Sequence, residues 1–348
     1  MQSDKLLVIC GPTATGKTNL GIKLAQLLNG EIVSADSRQV YQDMDIGTGK
    51  NLPPNSSRVV RHTSHGNKTY KVYNLDGIDL WGYDLVTPDQ EFSLAHFQQF
   101  ASTIIPDIHF RGKLPIVVGG TGLYLKSLSH HLETTVIPRD PQLRSQLEQH
   151  SVKSLQLQLQ QLNPAKLESM NHSDRLNPRR LVRAIEIATY HQHSNSVPMF
   201  PDHINSEVGE SGNIGIKVTT ELSNKLEQLW IGLTGDLSVL DHHVSTNVQT
   251  RSKQLDQEIN RLLVRHPHFW SFPAATATGY SQWHQFLDGS ITRSQATNLW
   301  IKSETQYLRR QLTWFKKQPN IHWFDISSPH FQQQVAALVK PWYSKPKS

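Results

Sequence analysis

Eight residues near the amino terminus, GPTATGKT from Gly11 to Thr18, constrain this chain more than any other stretch. The spacing G-x-x-x-x-G-K-[ST] works only with a strand before it and a helix after it. Successive backbone N–H groups must converge on one concavity backed by a helix N-terminus. Both flanks comply. LLVIC (6–10) is an apolar run of strand length. NLGIKLAQLLNG (19–30) carries Leu20, Ile22, Leu24, Leu27 and Leu28 at helical spacing before Asn29-Gly30 closes it. Gly11, Pro12, Thr13, Ala14, Thr15 and Gly16 then form a phosphate cradle. Lys17 adds a point charge for phosphate oxygens, and the Thr18 hydroxyl can ligate Mg²⁺.

The theme repeats along the chain. EIVSAD (31–36) reads as a second strand ending in a carboxylate. KLPIVVGGTGLYLKSL (113–128) reads as a strand over 115–118, a glycine turn, and a helix from about Leu123. LWIGLT (229–234) reads as a further core strand. Strands alternating with helices imply a parallel sheet with crossover connections. The pieces TYKVYNL and IDLWGYDLV in 51–80 can form a hairpin, and 236–265 and 292–317 read as helices. Residues 130–199 differ: they are rich in leucine and glutamine at helical spacing, and a helix opens at Asn177-Pro178. PDHINSEVGESGNIGIK (201–217) reads as a loop. The expectation is an α/β fold, a P-loop NTPase-like parallel sheet flanked by helices. Its catalytic core runs over 1–129 and 200–340, with an inserted helical domain over 130–199.

Composition narrows the function classes. No run approaches the roughly 18 apolar residues of a membrane span. MQSDKLLVIC lacks the basic start and long apolar run of a secretory signal. The single cysteine, Cys10, excludes an internal disulfide and a cysteine-based zinc site. A cytoplasmic protein away from membranes is expected. The net charge of +6 is compatible with a nucleic-acid partner. The eighteen histidines lack metal-ligand spacing, and the pairs His130–His131 and His242–His243 put neighbours on different helix faces.

Four further constellations carry possible chemistry. Asp36, followed by Ser37, Arg38 and Gln39, sits at the carboxyl end of a parallel strand, where open α/β sheets bind ligands. It can hold Mg²⁺, accept a proton from a nucleophile, or simply cap a turn. Thr121 offers a hydroxyl in a glycine turn. RRLVR (Arg179, Arg180, Leu181, Val182, Arg183) puts arginines three and four apart on a helix, suited to phosphate backbones or to a solvated face. QYLRRQLTWFKKQ (306–318) interleaves Arg309, Arg310, Lys316 and Lys317 with Tyr307, Trp314 and Phe315. It reads as a base-stacking surface or as an amphipathic helix with a buried tryptophan.

In order, GPTATGKT, GEIVSADSRQVYQDMDIGTGK, LPIVVGGTGLYLKSL, NPRRLVRAIEI, GYSQWHQFLDG and RRQLTWFKK resemble the tRNA dimethylallyltransferases, from about Lys5 to Phe324. ADSRQVYQDMDIGTGK has no everyday structural explanation. The resemblance implies that the cradle holds dimethylallyl diphosphate and that the acceptor is N6 of adenosine 37, in tRNAs reading codons that begin with U. It implies that Asp36 takes the N6 proton and that Thr121 and Lys17 act at the reaction centre. It further implies tRNA contacts at Asp36 to Gln39, at Arg144 in DPQLR and at Arg179 to Arg183. The helical insertion would clamp the anticodon stem-loop, Mg²⁺ would be the cofactor, and the protein would act as a monomer.

The carboxyl half departs from the family pattern. His243 and Asn247 stand at two positions where arginines are usual, Ser281 follows Gly279-Tyr280, and Thr305 replaces another arginine. Three rival readings stay open at this point. They are an adenylate isopentenyltransferase acting on free nucleotide, an ATP-dependent small-molecule kinase, and a tRNA-binding family member with reduced turnover.

Overall fold

The computed structural model describes residues 5–50, 52–53, 55–64, 68–129, 137, 139–193 and 226–345. The chain divides into two compact units, residues 1–130 with 218–348 and residues 131–217. The loop expected over 201–217, and His130 and His131, lie outside the described residues.

The first unit is organised by one eight-stranded sheet. Its strands are β1 (Lys5–Cys10), β2 (Gly30–Ser34), β3 (Ser57–His62), β4 (Thr69–Leu75), β5 (Ile78–Trp81), β6 (Leu114–Gly119), β7 (Glu227–Thr234) and β8 (Ile321–Asp325). The spatial order is β3-β4-β5-β2-β6-β1-β7-β8. From β5 to β8 every pairing is parallel, whereas β3, β4 and β5 pair antiparallel. The expected hairpin is therefore real, but it is the outer part of the main sheet. β1, β2 and β6 are buried at every residue, as central parallel strands covered on both faces must be.

Helix α1 (Lys17–Leu28) buries Leu20, Ile22, Leu24 and Leu28 against this sheet. Leu27 is exposed, contrary to its place in the apolar pattern. Asn29 ends α1 in the left-handed region (φ 50°), and Gly30 already belongs to β2. Helices α2 (Leu94–Phe110) and α3 (Gly122–Lys126) flank β6.

The second unit holds α4 (Pro141–Leu147), α5 (Val152–Leu162), α6 (Pro164–Ser169), α7 (His172–Arg175) and α8 (Pro178–His193). Leu147, Leu155, Leu159, Leu181, Val182 and Ile185 form its core.

The first unit continues after β7 with α9 (Leu237–Ser252), α10 (Leu255–Arg265), α11 (Tyr280–Leu287), α12 (Arg293–Phe315) and α13 (Phe331–Ser344). The helix expected over 236–265 is thus two helices broken at Lys253–Gln254. A core of Leu240, Val244, Leu262, Trp283 and Trp300 joins four of these helices to Val40, Tyr41 and Met44 from the segment after β2.

Candidate active site

Three loops converge because their strands are neighbours. β1, β6 and β2 are adjacent and parallel, so the loops leaving their carboxyl ends share one edge of the sheet. These loops carry Gly11–Gly16, Gly120–Thr121 and Asp36–Gln39. The chain leaves β1 for β2 on one side, while β7 pairs on the other. This reversal is the point at which open α/β sheets bind ligands.

In the first loop, Ala14 (φ 64°) and Gly16 (φ 77°) both adopt left-handed backbone, which turns consecutive N–H groups inward. Thr15 Oγ1 donates to Pro12 O at 2.9 Å, and Lys17 Nζ donates to the same carbonyl at 2.6 Å. Burial pushes the Lys17 ammonium down from 10.5 to about 8, against the attraction of Asp36. Burial pushes the nearby Tyr83 hydroxyl up to about 12.

Asp36 caps the turn that follows β2. Its Oδ1 accepts the N–H of Arg38 at 2.8 Å and of Gln39 at 3.3 Å, the turn-capping arrangement. Burial nevertheless raises its pKa above the usual 3.8, only partly opposed by those two N–H groups, Lys17 and Arg38. A raised pKa makes the carboxylate a stronger base. Thr121 Oγ1 accepts the Ser37 N–H at 3.0 Å and donates to Ser37 Oγ at 3.4 Å. Asp36, Ser37, Thr121 and Lys17 thus lie together.

The rest of ADSRQVYQDMDIGTGK has a structural explanation after all. Glu258 accepts the N–H groups of Asp45, Ile46 and Gly47 at 2.7, 2.6 and 3.0 Å. Lys50 is buried and donates to Tyr41 O at 2.5 Å and Asp45 Oδ1 at 2.8 Å, and it pairs with Asp84. Arg38 reaches Pro273 O at 3.4 Å and Thr276 Oγ1 at 3.3 Å. Gln39 Nε2 donates to Gly49 O at 3.2 Å.

The second unit corrects the RRLVR reading. Leu181 and Val182 are core residues, 0% and 5% exposed, so their side chains are closed to a partner. Arg183 and Arg144 both bind Glu186, with Arg144 forming two bonds of 2.8 Å. Arg183 also donates to Ile137 O at 2.8 Å. Arg180 pairs with Asp174, and Arg179 is exposed. The expected single cationic stripe is therefore split between core packing, internal ion pairs and an exposed edge.

In α12, Phe315 is fully buried and Trp314 packs on Gly122, so the amphipathic reading prevails there. Gln311, unnoticed in the sequence, joins two of the loops: Thr13 N donates to its Oε1, and its Nε2 donates to Gly120 O, both at 2.8 Å. Its signal was the helical offset of four from Tyr307. His243 is also at the site, with Nδ1 3.2 Å from Ala14 O. Asn247 is exposed, and Ser281 and Thr305 are half-buried.

Among the described residues no group of three or more His, Cys, Asp or Glu side chains can hold a metal. Mg²⁺ normally keeps waters and substrate phosphates beside one or two protein oxygens. Thr18, half-buried in the first turn of α1 beside the cradle, offers one such hydroxyl oxygen, which fits a cation that arrives with a phosphorylated substrate. Among the described residues no helix is long and apolar enough to cross a membrane.

Fold and site together define a phosphate-loop α/β protein in which an anion cradle, a carboxylate and a hydroxyl meet at one sheet edge. The family model IPP transferase matches residues 39–318, and the model Isopentenyl transferase matches residues 4–62. The chain belongs to the IPP transferase family. It is 35% identical to a tRNA dimethylallyltransferase of Carboxydothermus hydrogenoformans over 342 residues, 97% of each chain. It is 33% identical to one of Roseiflexus over 345 residues, 97% of this chain and 98% of the other. Among solved structures, the full-length tRNA isopentenylpyrophosphate transferase of Bacillus halodurans aligns with a TM-score of 0.62 at 28% identity, covering 98% of this chain and 97% of the other. A eukaryotic dimethylallyltransferase acting on tRNA shares the fold, with a TM-score of 0.72 at 24% identity over 99% of this chain and 81% of the other.

Proposed function

We propose that this protein transfers a dimethylallyl group from dimethylallyl diphosphate to N6 of adenosine 37 in the anticodon stem-loop of tRNAs reading codons that begin with U. The observation that carries the reading is the meeting of the phosphate cradle with Asp36 and Thr121: Ser37 N donates to Thr121 Oγ1 at 3.0 Å, and Gln311 joins the cradle to the turn before Thr121.

The allylic C1–O bond breaks and its electron pair leaves with diphosphate. The N–H groups of Ala14 to Thr18 and the Lys17 ammonium oppose the charge that develops there. The N6 nitrogen bonds to C1, and its proton passes to the Asp36 carboxylate. Adenine N6 is a poor nucleophile because its lone pair is delocalised into the ring, so removing the proton as the bond forms lowers the barrier. Thr121 presents its hydroxyl to the same region while Ser37 fixes its orientation. Mg²⁺ held through Thr18 would neutralise diphosphate charge as it leaves. The target base must leave its stack, at a cost of a few kcal/mol. Phosphate contacts from the helical unit, through exposed residues such as Arg179, would offset that cost. The protein acts in the cytoplasm, as a monomer.

The test incubates the protein with dimethylallyl diphosphate and either unmodified tRNA or AMP, and analyses nucleosides by mass spectrometry. Prenylated adenosine from tRNA at position 37 is expected. Product from AMP alone, or consumption of ATP without prenyl transfer, refutes the reading. Asp36→Asn is expected to slow transfer by about 10²–10⁴-fold with donor affinity kept; an unchanged rate removes Asp36 as the base.

A further inference from the structure

The reaction proposed above needs two reacting centres held by two separate loops. The leaving diphosphate belongs to the β1 loop and the accepting amine to the neighbourhood of Asp36 and Thr121. Gln311 stands between them. It is 6% exposed, and both ends of its amide are engaged: Oε1 accepts Thr13 N–H and Nε2 donates to Gly120 O, each at 2.8 Å. The amide orientation is determined by its partners, because the flipped form would set N–H against N–H and oxygen against oxygen. Gly120 is shaped to this contact. A Cβ there would lie 2.3 Å from Gln311 Nε2. One helical turn earlier on α12 stands Tyr307, half-buried and within electrostatic reach of Asp36. One side chain of one helix therefore touches both the phosphate cradle and the glycine turn that precedes Thr121.

We propose that Gln311 is a positioning residue for the transfer reaction: it sets the spacing between the phosphate cradle and the Thr121 turn, and so aligns the departing diphosphate with the incoming amine. Alignment of this kind acts on the chemical step. A misplacement near 1 Å costs on the order of 10²-fold in rate, even when the shifted group touches no reacting atom. This inference rests on the proposed transferase activity.

Two full-length variants test it, at a temperature where circular dichroism shows each folded. Gln311→Met keeps the side-chain length and loses both hydrogen bonds. Its kcat is expected to fall about 10–100-fold while tRNA affinity stays within about twofold. Gln311→Glu keeps the acceptor for Thr13 N–H but sets an oxygen against Gly120 O. Protonation restores the missing donor, so the ratio of its kcat to that of wild type is expected to rise as pH is lowered from about 8.5 to about 6. A merely structural glutamine has no reason to give that rise. A Gln311→Met kcat within about twofold of wild type overturns the proposal, as does a Gln311→Glu ratio that is flat with pH. If Gln311→Met fails to fold, the Gln311→Glu ratio decides alone. A wild-type protein that makes no prenylated tRNA removes the transferase reading instead, and so the two failures are distinguishable.

Discussion

Glu258→Gln is a change of one atom that the structure makes expensive. Glu258 is 1% exposed and accepts four hydrogen bonds. Oε2 takes Asp45 N–H and Ile46 N–H at 2.7 and 2.6 Å. Oε1 takes Gly47 N–H at 3.0 Å and the Tyr280 hydroxyl at 2.5 Å. All four partners are donors, and only a carboxylate offers two acceptor oxygens. A glutamine must turn its amino group toward one pair of donors, whichever way it lies. Two of the four bonds are then lost. At about 1.5–3 kcal/mol for each hydrogen bond to a charged acceptor, the loss is about 3–6 kcal/mol. With roughly 2–4 °C per kcal/mol for a domain of this size, Tm falls by on the order of 10 °C. Tyr280→Phe removes one of the four bonds and is expected to lower Tm by a smaller amount. Thermal unfolding at pH 7 followed by circular dichroism measures both. A Glu258→Gln midpoint within about 3 °C of wild type refutes the view that this carboxylate holds the loop after β2.

Two further outcomes are expected. Lys17 titrates near 8 because burial disfavours its charge. The kcat/KM for donor, which reports the free enzyme, therefore falls as pH rises through that value. Lys17→Arg abolishes that basic limb, and a limb that persists in the variant counts against Lys17 as its source. Burial opposes the Glu186 charge, but hydrogen bonds from Arg144 and Arg183 outweigh it and pull its pKa from 4.5 down to about 2. Stability from this group is present above pH 4.5 and is lost as pH falls toward 2. Glu186→Gln is expected to destabilise the helical unit by about 2–4 kcal/mol, discounted because both arginines are partly exposed. A Tm-against-pH curve with the same acid slope in variant and wild type would sink that assignment.

What could be read from the sequence was what local chemistry decides. β1, β2 and β6 are apolar runs because both their faces are covered, and the cradle needs its glycines and lysine at fixed spacing. Burial also explains the misses. β8, IHWFD, is half-exposed along its length, and β3, SRVVRH, presents mostly exposed residues at the sheet edge, so neither carries a core strand's apolar run. ADSRQVYQDMDIGTGK looked wholly functional because its partner, Glu258, is more than 200 residues away and leaves no local trace. The arginines of RRLVR looked like one surface because spacing gives a shared face but not what occupies it. Glu186, three residues after Arg183, fills part of it.

His243 of the carboxyl half has a physical reading at the cradle. His243 Nδ1 lies 3.2 Å from Ala14 O. A carbonyl only accepts, so Nδ1 carries the hydrogen in this contact. Ala14 is the non-glycine residue of the cradle with left-handed backbone, so this bond holds the loop where its backbone is least favoured. A neutral imidazole can supply that hydrogen as well as a charged one. Other cations of this half are already engaged within the fold. Arg251 lies 3.6 Å from Glu304 and 4.9 Å from the centroid of the Trp300 ring, and it donates to Gly47 O at 3.2 Å. Arg309 pairs with Asp241 at 2.9 Å. The carboxyl half contributes shape to the site: His243 on Ala14, and Gln311 on Thr13 and Gly120. His243 and Gln311 thus hold the cradle in place through hydrogen bonds to its backbone.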